Sequence, residues 1–95
     1  MNRYVIYTKS NCGYCDKVKE LLKNVKPRPQ IILCDEYLLN EKSKEQFLND
    51  MASKIGWQHR TFPMVFFNNN FVGGYEQTLR FYERSCIIDS NDTDF

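Results

Sequence analysis

Charge of one sign is what this sequence lacks most plainly. Thirteen Lys and Arg stand against twelve Asp and Glu, a net charge of +1, so bulk electrostatics offers no hold on nucleic acid or an anionic membrane. No apolar run is long enough to span a bilayer, and the mean hydropathy of −0.57 excludes a membrane bundle. Internal repeats and linkers are absent, and 95 residues suit one ordinary domain over positions 1–95. The chain does not open on an apolar segment with a small-residue cleavage site, so a cytoplasmic location is expected. Histidine occurs once, at His59, and the four cysteines contain a single close-spaced pair. Cysteine zinc sites usually draw on two such pairs, and structural disulfides are rare in the cytosol. Thiol chemistry is therefore the leading explanation of Cys12 and Cys15, with half a zinc site completed by Cys34, Cys86 or His59 as the alternative.

What is present is a β-α-β pattern followed by a second helix, a hairpin and a final helix. Tyr4-Val5-Ile6-Tyr7 is a β-branched and aromatic run that stops at the polar cluster Lys9-Ser10-Asn11. A helix is predicted from the cysteines onward, because Cys15, Val18, Leu22 and Val25 recur at three- and four-residue spacing. Pro27 and Pro29 end it, and Gln30 to Cys34 reads as a fully buried strand, parallel to the first. A second helix is predicted over roughly Ser43 to Ile55, with Ser43 and Gln46 as a capping box, Phe47, Leu48, Met51 and Ile55 on one face, and Gly56 as its stop. Met64 to Phe67 and Phe71-Val72 read as an antiparallel pair turned by Asn68-Asn69-Asn70. Gln77 to about Cys86 reads as a final helix with Leu79, Tyr82 and Cys86 inward, and the acidic tail from about Asp89 is expected to fray.

A C-x-x-C at a strand-to-helix junction has a physical use. The free N–H groups of a first helical turn and the helix macrodipole favour an anion there, which suits Cys12 as the nucleophilic thiolate. Cys15 lies one turn on, within disulfide reach, and extends the apolar stripe, so it is the buried resolving thiol. Cys34 and Cys86 read as small core hydrophobes.

With these residues in hand the chain resembles the glutaredoxins of the thioredoxin superfamily, from about Tyr4 to Tyr82. The motifs are Lys9-x-x-Cys12-x-Tyr14-Cys15, Arg60-Thr61-Phe62-Pro63 and Phe71-Val72-Gly73-Gly74, each at a junction between elements. The resemblance implies a thioredoxin-like α/β fold, a four-stranded mixed sheet flanked by helices, with a cis bond before Pro63. It implies glutathione as cosubstrate: the Phe62 backbone, in the loop with Thr61 and Pro63, would pair with the cysteinyl part like an added strand. Lys9 and Arg60 would bind the glycyl carboxylate, and Tyr14 would pack beside the sulfur. Gly74 and the amides of Tyr75 and Glu76 would receive the γ-glutamyl carboxylate. The implied activity is reduction of protein disulfides and glutathione mixed disulfides by a monomer. Alternatives are a hydrogen donor to ribonucleotide reductase, or a dimer holding a 2Fe–2S cluster through Cys12 and glutathione. Two positions depart from the family pattern: Gly13 stands where many members have Pro, and Gln77 where many have an acid.

Overall fold

The computed structural model describes residues 3–94, with side chains described for residues 3–84. Alternation sets the first strand: in β1 (Tyr4–Thr8) Tyr4, Ile6 and Thr8 are buried, while Val5 and Tyr7 face the other side. Period-two alternation of this kind gives a strand two packed faces. Helix α1 spans Gly13–Leu21 and buries Cys15 and Val18, with Leu22 as its C-cap. A cis Lys26–Pro27 bond lies in the connection that follows, a feature absent from the sequence-based expectation. Strand β2 (Gln30–Leu33) runs parallel to β1 and leads into a 3₁₀ turn, Asp35–Leu38. Helix α2 covers Glu41–Ile55, strands β3 (Met64–Phe67) and β4 (Asn70–Gly73) form a hairpin, and helix α3 spans Tyr75–Asp94.

The sheet order is β2-β1-β3-β4, with β3 antiparallel to β1 in the register Ile6↔Val65. This is the expected four-stranded mixed sheet with helices on both faces. Tyr4, Ile6 and Val65 pack with Val18 of α1 and its C-cap Leu22 on one face, joined by Tyr75, Phe81 and Tyr82 of α3. On the other face Met64 and Phe66 pack with Leu48, Met51 and Ile55 of α2.

Three expectations need correction. Gln30 to Leu33 is not fully buried: β2 is the sheet edge, and Ile31 and Leu33 remain 51% and 57% exposed. A short apolar run carries no information on strand order. Helix α2 starts at Glu41 rather than Ser43, because Asn40 is the N-cap and its Oδ1 accepts the Ser43 N–H at 2.9 Å. Asparagine is as good a cap as serine, and Gln46 then donates along the helix to Asp50 at 3.2 Å. The hairpin loop is shorter than three residues: Asn68 and Asn69, with φ of 52° and 69°, make the turn, and Asn70 already pairs with Phe67 in β4. Gly56 does end α2, in the left-handed conformation with φ of 101°. The last helix begins at Tyr75, with Tyr82 packed inward and Leu79 half-buried. Cys86 and the tail from Asp89 lie outside the residues whose side chains are described.

Candidate active site

Cys12 is the N-cap of α1, with extended backbone. Its Sγ accepts the Cys15 N–H at 3.2 Å and also lies 3.7 Å from the Phe62 carbonyl oxygen, to which the thiol donates. Asn11, just before it, has a φ of 56°, which turns the chain so that Cys12 faces the helix start. Cys15 is fully buried. Burial foremost, and then its hydrogen bond to Cys12, push the Cys15 thiol up to about 12. The two sulfurs, predicted to be unequal, are unequal in accessibility, since Cys12 is half-buried. Cys34 is buried too, its thiol pushed up to about 11 by burial, and it contacts the Ile32 carbonyl oxygen at 3.6 Å.

The wall opposite Cys12 comes from the loop before β3. The Phe62–Pro63 bond is cis, Pro63 is fully buried, and the half-buried Phe62 turns its backbone to Cys12. The Phe62 ring stacks on Phe47 of α2, 6.2 Å between centroids and 7° between planes, and Lys9 Nζ lies 5.8 Å above it. Thr61 is exposed and its hydroxyl sits 3.4 Å from His59 Nε2. Arg60 is bound to Glu45 of α2 by two hydrogen bonds, one of them 3.2 Å from Nη1 to Oε1. That pairing holds the Arg60 guanidinium above, and the Glu45 carboxyl below, their ordinary ranges.

The start of α3 forms the third side. Gly73, with φ of 137°, comes so close to Gln77 that a Cβ would sit 2.6 Å from the Gln77 Cβ, so glycine is required there. Gln77 Oε1 accepts the Gly74 N–H at 3.0 Å, the glutamine half of a capping box. The resemblance assigned the Gly74, Tyr75 and Glu76 region to an anion. The Gly74 donor is already engaged by the Gln77 side chain. Tyr14 and Tyr75 meet across the mouth with centroids 6.2 Å apart, and Lys17 Nζ lies over both rings, at 5.1 and 5.6 Å. Lys9, Cys12, Tyr14, Arg60, Thr61, Phe62, Pro63, Gly74, Tyr75 and Glu76 all line one open cleft of about 560 Å³. Of the predicted site residues, Cys15 alone lies behind its wall.

Four participants escaped the sequence reading: Asp35, Glu45, Lys17 and the Gln77 side chain as a cap. Asp35 Oδ1 accepts the Ser10 N–H at 2.9 Å and Oδ2 the Ser10 hydroxyl at 2.5 Å, tying the loop of Lys9 to the end of β2. Those two bonds hold the Asp35 carboxyl below its usual range. The capping box at Gly74 was legible from a Gln three residues on. The contacts of Asp35 and Glu45 span 25 and 15 residues, and no local pattern reports them. No group of three or more His, Cys, Asp or Glu gathers as a metal site among the described residues; His59 instead packs its ring 4.9 Å from Phe71.

A mixed sheet of this order, with a C-x-x-C at the first helix start facing a cis-proline loop, defines the thioredoxin-like dithiol proteins, whose chemistry is thiol–disulfide exchange. The family model for glutaredoxin matches residues 4–72, and the chain belongs to the glutaredoxin family, a family of thiol–disulfide oxidoreductases. It is 32% identical over 83 residues to the chloroplastic monothiol glutaredoxin-S12 of Arabidopsis thaliana, covering 87% of this chain and 44% of that relative. The chain thus spans about half the length of several curated relatives it matches. A buckwheat glutaredoxin–glutathione complex superposes with a TM-score of 0.69 at 25% identity, over 93% of this chain and 74% of that one. Glutaredoxin 1 of Francisella tularensis matches in fold, with a TM-score of 0.72 at 17% identity, over 90% and 98% of the two chains.

Proposed function

We propose that the protein is a glutathione-dependent oxidoreductase that reduces glutathione mixed disulfides and protein disulfides, with Cys12 as nucleophile. The observation that carries this is the single cleft that joins Cys12 to the Phe62 backbone, to the cations Lys9 and Arg60, and to the N-terminal turn of α3. A tripeptide with a thiol at its centre and a carboxylate at each end meets complementary groups in that order. The buckwheat relative solved with glutathione supports the same reading.

The Cys12 thiolate attacks the glutathione sulfur of a mixed disulfide. A Cys12–glutathione disulfide forms, and the substrate thiolate leaves and takes up a proton. A free glutathione thiolate then attacks the glutathione sulfur, releasing glutathione disulfide and restoring the Cys12 thiolate, so each turnover consumes one free glutathione and the other half of the glutathione disulfide comes from the substrate. In the dithiol branch Cys15 attacks Cys12 instead, expelling glutathione and leaving an internal disulfide for two further glutathiones to reduce. Cys15 is buried, and in the reduced protein burial and its contact with Cys12 push its thiol up to about 12, which disfavours its attack. The glutathione branch is the route we propose for glutathione mixed disulfides.

Steady-state reduction of a glutathionylated peptide checks this. Cys12→Ser is expected to fall to background, whereas Cys15→Ser keeps a rate of the same order as the unmodified protein. Full activity in Cys12→Ser would end the reading, and loss in both variants would establish a strictly dithiol route.

A further inference from the structure

Arg60 enters the cleft wall already engaged. One edge of its guanidinium donates to both carboxylate oxygens of Glu45, the two-pronged geometry that a planar guanidinium offers to one carboxylate at a time. Nη1 also approaches Gln58 Oε1 at 3.5 Å. Lys9, the other cation at this end, has no ion pair among the described residues. Glu45 belongs to α2 and does not line the cleft. The far end repeats the arrangement, since an internal oxygen, Gln77 Oε1, sits on the Gly74 N–H.

We propose that Glu45 is a specificity-determining residue: its carboxylate occupies the Arg60 fork as an internal substitute for a ligand carboxylate. The proposal rests on the glutathione reading above. A substrate bearing a carboxylate at that position must displace Glu45 from the fork, whereas a disulfide partner without one leaves the pair intact. Glu45 thereby weakens binding of glutathione-type substrates and leaves the sulfur chemistry untouched, shifting selectivity toward disulfides that lack the carboxylate. Both side chains of the pair are 45% exposed. Such pairs are weak enough to be displaced, so the effect is a few-fold change in KM.

The test compares one peptide carried as a mixed disulfide with glutathione and as a mixed disulfide with 2-mercaptoethanol, which has no carboxylate, with dithiothreitol as final reductant. Glu45→Gln, nearly isosteric and at a half-exposed position, is expected to lower KM for the glutathionylated peptide about threefold with kcat unchanged. It should leave the mercaptoethanol substrate unaffected. Arg60→Ala is expected to raise KM for the glutathionylated peptide alone, and Glu45→Gln should have no further effect in that background. An equal shift on both substrates, or a Glu45→Gln effect that persists with Arg60→Ala, would overturn the proposal. If the unmodified protein shows one KM for both substrates and Arg60→Ala changes neither, the glutathione reading itself falls and the proposal falls with it. A normal Arg60→Ala response with a silent Glu45→Gln would reject the proposal alone.

Discussion

At the scale of single residues the sulfur atoms differ by what surrounds them. Cys15 and Cys34 are fully buried, with thiols pushed up to about 12 and about 11, whereas Cys12 lines the cleft. Alkylation follows the thiolate population, which drops tenfold for each unit by which the pKa exceeds its ordinary value of about 8.5. Iodoacetamide at pH 8 is therefore expected to modify Cys12 of the native reduced protein. Cys15 and Cys34 should react at least about 100-fold more slowly than an ordinary exposed cysteine. Peptide mapping by mass spectrometry reads this directly, and rapid labelling of Cys15 would contradict its burial. The difference in burial between Cys12 and Cys15 is legible in the sequence because position in the helix decides it: Cys12 precedes the first turn, and Cys15 continues the stripe of Val18 and Leu22.

Among the elements, helix starts and strand order divide what the sequence reveals from what it hides. Asn40 caps α2, so Asn40→Ala is expected to cost about 1 kcal/mol, seen as a lower urea midpoint with an unchanged slope. Ser43→Ala, aimed at the cap the sequence pattern favours, should stay within about 0.5 kcal/mol. Equal losses would return the cap to Ser43. The two candidates are three residues apart, and local chemistry favours both, so only the path of the chain into the helix separates them. The edge position of β2 has the same kind of origin. Ile31 and Leu33 pair across from Ile6 and Thr8, yet Ile6 and Thr8 are fully buried while their partners are half in solvent. Strand identity was readable from composition, and strand neighbours were not. The three motifs of the site were readable because each sits at an element junction. The contacts of Asp35 with Ser10 and of Glu45 with Arg60 depend on tertiary packing alone.

For the whole molecule, the site lies where the two packed faces of the sheet meet the end of β1. The α1 start, the loop before β3 and the α3 start all converge there, at the point where β1 is flanked by a parallel strand on one side and an antiparallel one on the other. Stability is tied to the buried thiols of this region. Their folded-state values exceed the unfolded one, so the stabilisation is complete below about pH 8.5. It is lost as pH rises toward about 11 for Cys34 and about 12 for Cys15. The urea midpoint is therefore expected to hold steady from pH 7 to 8.5 and to decline above about 9. That decline should be shallower in Cys34→Ala, measured against its own value at pH 7. An identical decline in both proteins would remove Cys34 from the account. Asp35, finally, ties down both the N–H and the hydroxyl of Ser10. The three residues between β1 and Cys12 give up their conformational entropy once, during folding, and not again at every encounter. Whatever docks at the cleft meets a floor already set, and the freedom lost at that end of the site is the visitor's own.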